Sequence, residues 1–189
     1  VLNKVVGASA APSQIQGKIE AAGTVMVVNQ NGVVFSGTSQ VNVRNLVAAA
    51  AAPDAALDTQ FQARGLYSEG TTPTFKDALG NVVVQPGARI ATHVPTSATQ
   101  GGGYVLLAGK NVENAGAIYT PRGQALLAAG DSFIIARGQG TEGNVASTTR
   151  GNEVNVGGLG SVSNTGLIQS PLGDITLAGN QVEQGGVLA

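Results

Sequence analysis

The chain has 189 residues, of which 42% are hydrophobic, 11% charged and 4% aromatic, with 28 Gly and no Trp. Ten Lys and Arg against eleven Asp and Glu leave a net charge of −1, so there is no basic footprint for nucleic acid or an anionic membrane. With no cysteine, disulfides, thiolate metal sites and a Cys nucleophile are excluded; Gly without a Gly-X-Y period excludes collagen.

The length suits one domain, and a core made mostly of Ala and Val must be thin and regular. The chain opens on Val1 rather than Met, as expected of a fragment or a processed form. Short apolar runs bounded by Gly and Asn follow at 24–29, 32–35 and 40–43, and these read as strands. The Ala-rich run 46–52, closed by Pro53, is the best helix candidate, worth two turns or a collapsed loop. From Pro53 to Gly80 the pattern is lost, which we read as an excursion, a hairpin returning near 78–81. Strand-like runs resume at 81–85, 104–108, 125–128 and 132–136. A second excursion is expected at 138–151, and a last run at 174–178. The chain is all-β.

Repetition gives the architecture. Gly17-Lys18-Ile19 with Gly23-Thr24-Val25-Met26-Val27 returns as Gly116-Ala117-Ile118 with Gly123-Gln124-Ala125-Leu126-Leu127. It returns again as Gly166-Leu167-Ile168 with Gly173-Asp174-Ile175-Thr176-Leu177. Gly103 and Gly123 stand 20 residues apart, as do Leu107 and Leu127, which is the length of one coil of a parallel β-helix. Each coil carries an apolar set it cannot bury alone, so coils stack. Six to eight coils of about 4.8 Å each predict a rod of about 30–40 Å. Val25, Val27, Leu106, Leu126, Ile175 and Leu177 are expected to point inward. Gly and Asn are expected at corners, where Asn side chains of successive coils can form a ladder.

Chemistry-bearing patterns are sparse. Gly138-Gln139-Gly140-Thr141-Glu142-Gly143 spells a dinucleotide fingerprint, but no helix pattern follows it, so it reads as a surface loop. His93 is the only histidine, and no Gly-x-Ser-x-Gly elbow accompanies it. The acids are scattered, apart from Asp54 with Asp58. We therefore expect no catalytic residue, no metal site and no cofactor. The sharpest local signal is Asn29-Gln30-Asn31-Gly32-Val33, where Asn-Gly between apolar runs marks a tight turn.

That motif sits in a longer block. Val1-Leu2-Asn3-Lys4-Val5, Pro12-Ser13-Gln14-Ile15-Gln16-Gly17 and the stretch from Gly23 through Asn29-Gln30-Asn31-Gly32 to Phe35 closely resemble the secretion domain of filamentous haemagglutinin-type exoproteins. The resemblance continues through Gly37-Thr38-Ser39-Gln40-Val41-Asn42-Val43 and the Gly116 and Gly166 repeats, over nearly the whole chain. Gln30 stands where the family usually has Pro, and the family's upstream strands and first motif would precede Val1.

The resemblance implies a right-handed parallel β-helix recognised by an outer-membrane two-partner secretion transporter. The chain would cross that membrane unfolded and fold outside, a route that suits a chain without cysteine. The rest of such an exoprotein is a long fibre for adhesion to host-cell or cell-surface receptors, for haem capture or for toxin delivery. On this reading Asn29, Gln30, Asn31, Gly32 and Val33 form the secretion motif. Replacing Asn29 or Asn31 should then abolish secretion while sparing the fold, and Gln30→Pro should be tolerated. The alternatives are a polysaccharide-active β-helix enzyme and a purely structural solenoid.

Overall fold

The computed structural model describes residues 1–6, 11–64, 66, 72–97, 101–137 and 151–189, and among these the chain winds into six coils of a parallel β-helix. A coil presents three strands, one on each of three faces. Coil 1 holds β1 (Leu2–Lys4), β2 (Ser13–Ile15) and the start of β3 (Lys18–Val28). β3 bends at a register shift between Ala21 and Thr24 and continues as the first strand of coil 2. Coil 2 goes on through β4 (Val33–Phe35) into β5 (Gln40–Ala49), whose second half opens coil 3.

Coil 3 is interrupted by β6 (Ala52–Pro53), α1 (Ala55–Arg64) and β7 (Thr74–Lys76) before β8 (Val82–Val84) and β9 (Arg89–Thr92) complete it. Coil 4 is uninterrupted: β10 (Tyr104–Gly109), β11 (Asn111–Asn114) and β12 (Ala117–Tyr119). Coil 5 starts with β13 (Gln124–Ala129), sends out the hairpin β14 (Ser132–Arg137) and β15 (Asn152–Gly157), and closes with β16 (Ser161–Asn164) and β17 (Leu167–Gln169). Coil 6 is β18 (Asp174–Ala178), β19 (Gln181–Gln184) and β20 (Val187–Leu188).

The register carries the expected period. Tyr104 lies beside Gln124 and Val162 beside Val182, each pair 20 residues apart. Gln124 lies beside Asp174, and the extra length between them holds the second excursion. Six coils at about 4.8 Å give a rod of about 29 Å, at the short end of the expected range.

Alternate residues of the first face point to opposite sides, and both sides are buried. The inner column takes Val25, Val27, Leu46, Ala48, Val105, Leu107, Ala125 and Leu127, with Ile175 and Leu177 partly buried against it. Val25, Val27, Ile175 and Leu177 thus point inward as the repeat predicts. Leu106 and Leu126 do not: they join Met26, Val47 and Ala49 on the outer side, in a second core with Leu57, Phe61, Phe75 and Phe133. The error has a physical cause, because a strand buried on both faces shows no alternation from which to read parity. At about 1.5–3 kcal/mol for each large side chain removed from water, this second core is a substantial part of the fold.

The cover over that outer side is built by the two excursions together. β6 pairs antiparallel with β7, β7 with β14, and β14 with β15, in one four-stranded sheet. Phe75 of β7 lies directly opposite Phe133 of β14, and both are fully buried. The first excursion therefore contains a helix as well as the expected hairpin pairing. Asp54 caps that helix, its Oδ1 accepting the Leu57 N–H at 2.7 Å, and Leu57 and Phe61 face the second core one turn apart. The helix predicted at 46–52 is instead strand β5 and its continuation, and residues 46–51 are all fully buried between neighbouring coils. Ala propensity is overruled there by the need to pair on both edges. The tip of the second excursion, 138–150, lies outside the described residues, and with it the Gly138–Gly143 fingerprint.

Polar ties fasten the cover to the coils. Lys4 of β1 meets Asp58 of α1 at 2.9 Å. Lys110, at the corner of coil 4, meets Asp131 at the foot of β14 at 2.5 Å. The Lys110 ammonium holds the Asp131 carboxyl below the usual aspartate range, with a smaller contribution from the Leu159 N–H. Gln124, buried on β13, donates to Asn152 O at 2.9 Å and to Thr176 Oγ1 at 3.1 Å, and accepts the Asn152 N–H at 2.6 Å.

Candidate functional site

The motif Asn29-Gln30-Asn31-Gly32-Val33 forms the corner of coil 2 between its first and second faces. β3 ends at Val28, and the Asn29 N–H extends its ladder to Ala49 O of coil 3 at 3.0 Å. The chain then reverses in a four-residue turn closed by the Gly32 N–H on Asn29 O at 2.9 Å. Gly32 adopts φ +132°, and a Cβ there would press on Asn81 O and Pro12, so glycine is the residue that fits.

Asn29 organises the corner. Its Oδ1 accepts the backbone N–H of Asn31 at 3.0 Å and the Asn31 side-chain amide at 3.3 Å. Its Nδ2 donates to Ala11 O at 3.0 Å and to Ser13 Oγ at 3.1 Å, both in coil 1. The side chain is 2% exposed, so one buried amide ties its own turn to the coil below. Val33 is fully buried in the inner column, stacked between Ser13 of coil 1 and Val82 of coil 3.

Gln30 and Asn31, the two turn residues, are half-buried. Coil 3 closes over them. Gln30 Nε2 donates to Asp77 O at 2.8 Å, Gln30 O accepts the Gly80 N–H at 2.8 Å, and Asn81 O accepts the Val33 N–H at 3.0 Å. A Cβ on Gly80 would overlap the Asn31 carbonyl and the Gly32 nitrogen, so the two turns touch backbone to backbone. Asp77 reaches this position with φ +52°, a left-handed conformation that Asp and Asn adopt more readily than other residues with a side chain.

The structure thus brings all five motif residues into one corner and adds Ser13, Asp77, Gly80 and Asn81, which sequence reasoning did not single out. A signal for them was present: Gly80-Asn81 precedes the Val82-Val83-Val84 run much as Asn31-Gly32 precedes Val33-Val34-Phe35.

The remaining candidates are placed elsewhere. Asp54 caps α1 and Asp58 pairs with Lys4, so the one neighbouring carboxylate pair serves the helix. The His93 N–H continues the β9 ladder to Val43 O at 3.0 Å. On the exposed third face the Glu20 carboxyl is held below the usual range, first by its bond to Lys18 at 2.7 Å. Among the described residues no three His, Cys, Asp or Glu side chains converge on a common point that could hold a metal.

The family model that matches this chain is the TPS secretion domain, over residues 1–187. The chain belongs to the TPS secretion domain family. The domain is accordingly a secretion module of a two-partner system, recognised by an outer-membrane transporter and exported across the outer membrane with its exoprotein. No individual curated protein matches the chain.

Proposed function

We propose that the transporter reads residues 29–33 before the chain folds, and that the module serves an adhesin-type exoprotein carried to the bacterial surface, where it meets host-cell or cell-surface receptors. One observation carries the first part. The polar groups of Asn29 and the turn backbone are engaged by coils 1 and 3 in the folded domain, which leaves Asn29 2% exposed. A receptor strand or loop can reach these amides only in the unfolded chain, where they are free to pair.

The same burial favours a second reading, in which the corner acts only by holding the fold. It also changes which substitution is informative. Asn29→Ala removes a buried amide and strips partners from Ala11, Ser13 and Asn31, at about 2–3 kcal/mol, so the expectation that this substitution spares the fold does not suit the geometry. Asn31→Ala removes a half-buried side chain at about 0.5–1.5 kcal/mol. Gln30→Pro fits the first central position of the turn and gives up the Asp77 contact, for a net change within about 1 kcal/mol.

The decisive experiment measures secreted yield and denaturation midpoint for Asn31→Ala and Gln30→Pro. We expect Asn31→Ala to lose most secretion at a near-native midpoint and Gln30→Pro to keep both. Yield that merely follows the midpoint supports the structural reading.

A further inference from the structure

The corner at residues 29–32 is not completed by its own coil. Residues 77–81, the return limb of the first excursion, supply the Asp77 O acceptor for Gln30 Nε2, the Gly80 N–H for Gln30 O and the Asn81 O for the Val33 N–H. The limb is gripped from the far side too: Gly80 O accepts the Lys110 N–H of coil 4 at 2.8 Å, and the Ala78 N–H donates to Asp131 O at 3.0 Å. Its position depends on the excursion, because Asp77 follows directly on β7, which is held by β6 and by Phe133 of β14.

We propose that residues 77–81 are a latch that seals the transporter-read corner, so that folding of the excursion, and not of coil 2 alone, ends transporter access and releases the chain. This rests on the reading of residues 29–33 as the transporter-recognised segment. Coils 1 and 2 can satisfy the Asn29 side chain by themselves, through Ala11, Ser13 and Asn31. Gln30 O and the Val33 N–H stay available until the limb arrives. Gly80 sets the closeness of the seal, since any side chain there collides with the Asn31–Gly32 peptide.

The test is residue-resolved amide exchange on the purified chain, set beside the time the chain stays bound to membranes bearing its transporter. Gly80→Val keeps the latch from seating, while Asp77→Val disfavours the φ +52° conformation that presents Asp77 O to Gln30 and covers the case in which Gly80→Val fails to fold. Leu79→Ser, at a side chain 68% exposed, is the control. We expect Val33 amide exchange to rise at least about tenfold in Gly80→Val and about two- to fivefold in Asp77→Val, with Leu107 and Leu127 keeping wild-type protection. Both variants should still bind the membranes and should leave them more slowly, in the same order, while Leu79→Ser behaves as wild type. Unchanged exchange in both variants overturns the latch, and so does faster exchange with unchanged release. Failure of the underlying reading looks different: Asn31→Ala would then bind the membranes as well as wild type does, and the exchange arm alone would decide whether the latch exists.

Discussion

Coils 2 and 3 turn from their second to their third face with four residues each, Ser36 to Ser39 and Gln85 to Ala88, whereas coils 4, 5 and 6 do so with two. Coil 1 also turns with two, Gln16 and Gly17, and the inward side chain before this corner changes along the rod. In coils 1 to 3 it is Ile15, Phe35 and Val84; in coils 4 to 6 it is Asn114, Asn164 and Gln184, stacked in register. Asn114 Nδ2 donates to Asn164 Oδ1 at 2.7 Å, and Asn164 Nδ2 to Gln184 Oε1 at 2.9 Å. The short corners bring Gly116, Gly166 and Gly186 into direct stacking, where a Cβ on either of the last two would overlap the glycine below. One end of the solenoid is held by shape-filling apolar contacts that accept a longer turn. The other is held by an amide ladder that fixes register and accepts only a tight one.

The largest test of this contrast is Phe35→Ala, which empties a fully buried site and should cost about 3–5 kcal/mol in urea unfolding, while Phe35→Leu should cost about 1–1.5 kcal/mol. In the ladder, conserving volume should not help. Asn164→Ala and Asn164→Leu should each cost about 2–3 kcal/mol, because both leave the buried Asn114 amide with only its long 3.5 Å contact to Leu167 O. The double change Asn114→Val with Asn164→Val should cost less than the sum of its two singles in a double-mutant cycle.

The junction of the two regimes gives a finer test. Asn114 lies beside Val84, and its Oδ1 finds no donor among the described residues. Val84→Asn supplies one, so it should be less destabilising than Val82→Asn by about 1–2 kcal/mol, since Val82 stacks between Val33 and Val112 with no polar partner. The smallest effect concerns Asp131. Its lowered pKa means that whatever stability it adds is present above the unfolded aspartate pKa and is lost as pH falls through the lower folded value. The group is exposed, so the expected readout is its own carboxyl titration by NMR, below the ordinary aspartate midpoint and returned toward it by Lys110→Met.

The two halves were also unequally legible in the sequence. On two-residue corners coils 4 and 6 keep the period at 20, and coil 5 departs from it only by the second excursion, which is why the repeats stand out there and identify the solenoid. In coils 1 to 3 a bulge in β3, longer corners and the first excursion dilute the same signal. Residues 46–52 read as helix because local propensity favours Ala in helices, while the two-sided pairing that decides their state lies with residues 25–28 and 105–108. α1 has a local signal in the sequence: Asp54 ahead of Leu57 and Phe61 is a cap followed by an i, i+4 apolar pair. The motif residues are legible by pattern and Gly80-Asn81 carries a turn signal of its own, but that the two turns meet, and that Asp77 joins them, arises from a contact across some fifty residues of chain.

The cover sheet has a consequence for solubility. Beneath it, strands from successive coils lie parallel and in register, with Met26, Val47, Leu106 and Leu126 forming a flat apolar strip along their outer side. Bare, that strip would have the geometry on which cross-β sheets mate face to face. The antiparallel strands run over it with the partly exposed Ile134 outward and Phe75, Phe133 and Ile135 inward, so the slab meets its own chain before it can meet another. An exported chain that folds among many copies of itself carries, in these two excursions, its own protection against lateral aggregation.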